Sequence, residues 1–160
     1  MEPVNSLADW TRTAAALLGA EPPSPTARDV SSRPELAATY GLPPQVAALA
    51  GATQSILRIG HSREQMLTAW QFDTLRGSDF SHQVDVQHLG VIALRVQVPD
   101  ADAAMTRLER AAIPPVAKVE RRRLRPYGEI RGAVVRSGGG SGLLLEAVEV
   151  DAARLDRAQP

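Results

Sequence analysis

Apolar and polar positions along this chain repeat with two different periods, and each change of period marks an element. In "SLADWTRTAAALLGA", Leu7, Trp10, Ala14, Leu17 and Leu18 fall on one face at helical spacing. Ser6 is placed to cap that helix, Asp9 stands at its third position, and Gly19 ends it. "AEPPSPTARDVSSRPE" is rich in Pro and Ser and reads as loop, with at most one short strand around 26–31. "PELAATYGL" predicts one or two helical turns ending at Gly41. "ATQSILRIG" and "QMLTAWQF" flank the polar "HSRE", which predicts a hairpin with strands near 52–59 and 65–72.

A polar connector, "DTLRGSDFSHQ", leads to an apolar strand over 86–98. The next segment, "PDADAAMTRLERAAI", is a second helix. Asp100 is its N-cap, Asp102 favours its positive end, and Ala101, Ala104, Met105, Leu108 and Ala112 form its apolar face. "PPVAKVERRRL" reads as an exposed strand, and "EIRGAVVRS" with "GLLLEAVEV" as a second hairpin across "GGGSG". The tail from Asp151 is helical or frayed. Both halves run helix, polar segment, strand, hairpin, strand, which predicts an internal repeat of roughly 70 residues.

Composition narrows the function classes. A chain of 160 residues buries a core without staples, and the absence of Cys excludes disulfides and thiolate metal sites. Lys+Arg and Asp+Glu both number 18, so no nucleic-acid footprint is expected for the chain as a whole. The one local excess of charge, "KVERRRLR" over 118–125, reads as a solvated edge strand or as a patch for an anionic ligand. "SGGGSG" sits between two strands and opens no helix, so it is expected to be a flexible turn and not a phosphate loop. No Gly-x-Ser-x-Gly frame surrounds Ser78. "MEPVNSLADW" does not read as a signal peptide, and no apolar run suits a membrane, so the expected location is cytoplasmic.

Two strands carry an ionisable group on an otherwise apolar face: His88 in "VQHLGVIALRV" and Glu146 in "GLLLEAVEV". The segments "QHLGVIALRVQVPDADAAMTRLERAAI" and "PYGEIRGAVVRSGGGSGLLLEAVE" resemble the vicinal oxygen chelate superfamily, which includes glyoxalase I, bleomycin-resistance proteins and extradiol dioxygenases. "VNSLADWTRTAAALLGAE" and "ILRIGHSREQMLTAWQF" match it more faintly. The resemblance implies an α+β fold of two βαβββ modules forming one domain over 1–160. Module one covers about 4–72, the connector about 73–85, module two about 86–150 and the tail 151–160. The first strand of module one is expected to be missing or shortened.

The resemblance also implies a site. His88, sharing a face with Gly90, Ile92 and Leu94, and Glu146, sharing one with Leu144, Val148 and Val150, would face one cleft and hold a divalent ion (zinc, nickel, manganese or iron). Glu146 would otherwise act as a base. The ligand set is incomplete, because Thr68 stands where module one would supply a ligand. Gln71 and His61 need another register, and Asp79 and His82 only approach from the connector. Metal binding is therefore expected to be weak or absent, with a His–carboxylate hydrogen bond as the alternative. Tyr127 is a candidate for catalysis and substrate binding or else a turn residue, and Trp70 a pocket wall or else core. The implied function is a glyoxalase-like enzyme acting on a small oxygenated molecule by lyase or isomerase chemistry. By association with an Ala-, Arg- and Pro-rich composition, it would serve bacterial natural-product metabolism. The alternative is a metal-free small-molecule binder of the bleomycin-resistance type. A homodimer is expected, because a shortened first strand leaves a sheet edge to cover.

Overall fold

The computed structural model describes residues 2–29, 35, 38, 43–47, 51–59, 65–73, 75, 93–125 and 127–150. Its elements are β1 (Glu2–Pro3), α1 (Leu7–Leu18), β2 (Thr26–Asp29), α2 (Pro44–Ala47), β3 (Gly51–Arg58), β4 (Met66–Phe72), β5 (Ala93–Gln97), α3 (Ala101–Arg110), β6 (Pro115–Leu124), β7 (Gly128–Arg136) and β8 (Leu144–Val150). The strands form two sheets with the same order, β1-β4-β3-β2 and β5-β8-β7-β6. In each sheet the first strand runs parallel to the last, and the remaining pairs are antiparallel. This is the repeated βαβββ unit that the sequence predicts. The shortened first strand is present too, since β1 has two residues against the five of β5.

Local chemistry sets the helix ends. The Ser6 hydroxyl accepts from Asp9 N at 3.3 Å, and Gly19 takes the left-handed conformation (φ 66°) that closes α1. Asp100 accepts from Ala103 N at 3.0 Å at the start of α3. Glu149, from β8, accepts from Ala101 N at 2.9 Å, so the sheet itself satisfies one orphan donor of that helix. Arg131 bridges Glu149 and Asp102, and its hydrogen bond to Asp102 raises the guanidinium above its ordinary range.

The apolar faces of α1 and α3 and one face of each sheet share a single core. Leu7, Trp10, Ala14 and Leu17 of α1 meet Ala104 and Leu108 of α3, with Leu57 and Ala69 from the first sheet and Val96, Ala133, Val135, Leu145 and Ala147 from the second. Full burial of side chains such as Leu17 and Leu108 contributes about 1.5–3 kcal/mol each before conformational entropy is counted. Polar contacts reinforce the junction between modules. Arg107, in the last turn of α3, donates to Ala16 O at 2.9 Å and to Leu17 O at 3.0 Å, satisfying carbonyls left open at the end of α1.

The glycine-rich connection between β7 and β8 corrects one expectation. It is a turn, but a docked one. Gly139 O accepts from Asn5 N at 2.7 Å, and Ser137 is fully buried. Positive φ at Gly138, Gly139, Gly140 and Gly142 lets the chain fold against the start of α1.

Candidate functional site

The second sheet turns one face to the helices and leaves the other for chemistry. Alternation along its strands puts Val96, Ala133, Val135, Leu145 and Ala147 in the shared core. The opposite, inward face carries Arg95 and Gln97 from β5, Glu146, Val148 and Val150 from β8, and Ile130, Gly132 and Val134 from β7. Register fixes who meets whom: Arg95 lies directly across from Glu146, and Gln97 across from Val148.

Glu146 is buried, with only 7% of its side chain exposed, and it is held from two sides. Arg95 Nε donates to Glu146 Oε2 at 2.6 Å. An Arg122 terminal nitrogen pairs with Glu146 Oε1. Arg122 belongs to β6, two strands away from β8, so its side chain must pass over β7. It does so at Gly132. A Cβ there would stand 3.5 Å from Arg122 Nη2, 3.1 Å from Ala147 O and 3.3 Å from Val148 Cγ1. A methyl at Gly132 would only touch the arginine, so it is a longer side chain there that would crowd its path to the buried carboxylate.

A groove of about 1140 Å³ runs along β5, between the second sheet, the end of α1 and the ends of β3 and β4. The inward face supplies Arg95, Gln97, Ile130, Val148 and Val150; Arg58 and Met66 line it from the first sheet, and Tyr127 from the loop before β7. The described lining residues include two arginines and no carboxylate.

The sequence candidates distribute unevenly around this site. Glu146 lies on the inward face, as the pattern predicts. Leu94, expected on that same face, instead packs against the shared core, and Arg95 takes the position opposite Glu146. His88, His61, Asp79 and His82 lie outside the described residues. Tyr127 lines the groove and is 38% exposed. Trp70 is buried at 4% exposure and is not among the groove-lining residues. Gln71 is engaged elsewhere, its side-chain oxygen accepting from Leu7 N at 2.8 Å at the start of α1. Arg58, Arg95 and Gly132 are not marked as site residues by the sequence pattern, and Arg122 enters it only as part of the basic run over 118–125. Arg95 had a readable signal, as a charged residue in an apolar strand, but its partner is set only by the pairing of β5 with β8.

The described part of the site does not fit a divalent ion. Among the described residues, no group of three or more His, Cys, Asp or Glu side chains is placed to hold one. One oxygen of Glu146 accepts a charge-assisted hydrogen bond from Arg95 and the other is paired with Arg122, so a cation beside it would face two guanidinium groups.

No protein-family model and no curated protein matches the chain. Among solved structures, a glyoxalase family protein from Bacillus cereus matches with a TM-score of 0.62 and 15% identity, over 94% of this chain and 93% of that one. A glyoxalase/bleomycin resistance protein from Catenulispora acidiphila (TM-score 0.46, 12% identity, 94% of each chain) and a fosfomycin resistance protein from Listeria monocytogenes (0.45, 15%, 95% of this chain and 91% of that one) are more distant. The first of these likenesses shows the fold: the chain has the glyoxalase-like architecture of two βαβββ modules.

Proposed function

We propose that this chain is a small-molecule-binding protein whose ligand occupies the groove along β5 without a metal ion. One observation carries the reading: Glu146, the residue that a metal-dependent or base-catalysed glyoxalase-like enzyme would need free, is buried and engaged at both oxygens by Arg95 and Arg122. A carboxylate held this way shapes a site more readily than it accepts a substrate proton. The groove supplies what a binder needs: apolar surface from Ile130, Val148, Val150 and Met66, with Gln97 and Tyr127 to orient polar groups.

Thermal unfolding in the presence of EDTA tests this reading against a panel of small aryl acids, hydroxy acids and aryl alcohols. A ligand of this groove at about 100 times its Kd should raise the midpoint by roughly 5–10 °C. Gln97→Trp, which projects bulk into the groove from an exposed position, should remove the shift. Stabilisation that appears only after adding zinc, nickel, manganese or iron(II), or conversion of the compound, would favour the glyoxalase-like enzyme reading instead.

The same reading includes a homodimer. Among the described residues, β2 and β6 each end their sheet and pair on one side only. Uncovered edges favour association. Light scattering at micromolar concentration is expected to give the mass of two chains, and a monomeric mass counts against it.

A further inference from the structure

We infer that the groove selects a small molecule bearing an oxyanion, a carboxylate or a phosphate ester, on an apolar body. The inference rests on the small-molecule-binding reading above and names the ligand class of that site. Arg95 and Arg58 reach the same groove from different sheets, and no carboxylate stands among its described lining residues. Arg58 has no acidic partner among the described residues. Arg95 engages Glu146 through Nε, and among the described residues no acidic group holds its terminal nitrogens. The side chain of Arg95 is 39% exposed and lines the groove, which is where an incoming group would meet it.

Charge bookkeeping on the inward face agrees. Arg95 and Arg122 share one carboxylate, which leaves that cluster with a net positive charge, and Arg58 adds another across the groove. Glu146 acts here as a positioning residue. By fixing Nε of Arg95, it presents the guanidinium edge that forks onto the two oxygens of a carboxylate or phosphate. The rest of the ligand is specified by the apolar wall of Ile130, Val148 and Val150, against which a neutral, ring-sized body packs.

The test uses calorimetric titration of the full chain with benzoate, phenyl phosphate and, as an uncharged match, benzyl alcohol. Benzoate or phenyl phosphate should bind at least tenfold more tightly than benzyl alcohol, and the stronger of the two identifies which oxyanion the groove prefers. The affinity should weaken as sodium chloride rises from 50 to 500 mM. Arg58→Ala, which removes no described contact of the fold, should weaken the anion about tenfold and so remove most of its advantage over benzyl alcohol. Arg95→Gln combined with Glu146→Gln, which removes one charge of each sign and leaves the net charge of the cluster unchanged, should also weaken the anion, because the guanidinium fork is lost. Equal affinity for benzyl alcohol and the two anions, insensitive to both variants but lost in Gln97→Trp, overturns the oxyanion inference while leaving the groove as a binding site. Binding of any probe that survives Gln97→Trp overturns the groove itself.

Discussion

Replacing Arg95 and Arg122 together by methionine is expected to cost about 3–5 kcal/mol of folding stability, and adding Glu146→Met should restore most of it. The asymmetry follows from burial. Glu146 is 7% exposed, whereas the two guanidinium groups are 39% and 42% exposed. Stripped of both partners, the carboxylate stays behind in an apolar sheet face with nothing to compensate its charge. Either arginine alone still supplies one charge-assisted bond, and each is partly solvated, so the single variants should lose only about 1–2 kcal/mol. The two losses should therefore combine to more than their sum, as expected for residues sharing one partner. Urea unfolding of the single, double and triple variants measures this directly. A double variant within about 1 kcal/mol of the parent would mean that the arginines do not hold Glu146 in solution.

The fate of these residues shows which parts of the molecule were legible in the chain. Helix ends were legible because caps act locally: Ser6 and Asp100 each bond to a backbone N–H three residues on, and Gly19 takes its own φ. The hairpins were legible because period-two alternation is a property of each strand alone. The position of Glu146 on an inward face followed from the same alternation. Its partners did not, because they are fixed by register and crossing. Arg95 meets it through a parallel pairing, a register that no turn specifies. Arg122 sits in a basic run that otherwise behaves as a solvated edge, since Arg121, Arg123 and Arg125 are exposed. What sets Arg122 apart is a glycine on the neighbouring strand, which nothing in the run itself announces. The docking of the glycine-rich turn is hidden in the sequence for the same reason. Glycines without a visible partner read as slack, and here the partner is the start of α1, at the other end of the chain.

That docking makes Gly139→Ala the most damaging single substitution expected among the turn glycines, at about 3 kcal/mol. Gly139 has φ of 68°, a conformation that costs an L-residue about 1–2 kcal/mol. A Cβ there would also stand 2.7 Å from Ser6 O and 2.9 Å from Val4 Cβ. Ser6 O is backbone in the cap of α1 and Val4 belongs to the shared core, so neither yields without moving the helix. Any such movement stretches the 2.7 Å bond from Asn5 N to Gly139 O and loosens the contact between modules. Gly51→Ala provides the contrast. Gly51 is a strand residue without positive φ, and its added Cβ would meet only the side chain of Asp73, an exposed residue free to rotate away. Alanine also restrains the unfolded chain more than glycine does, so Gly51→Ala should change stability by less than about 1 kcal/mol in either direction. Urea unfolding of the two variants separates a docked turn from a slack one. If Gly139→Ala is as mild as Gly51→Ala, the turn does not hold the two modules together.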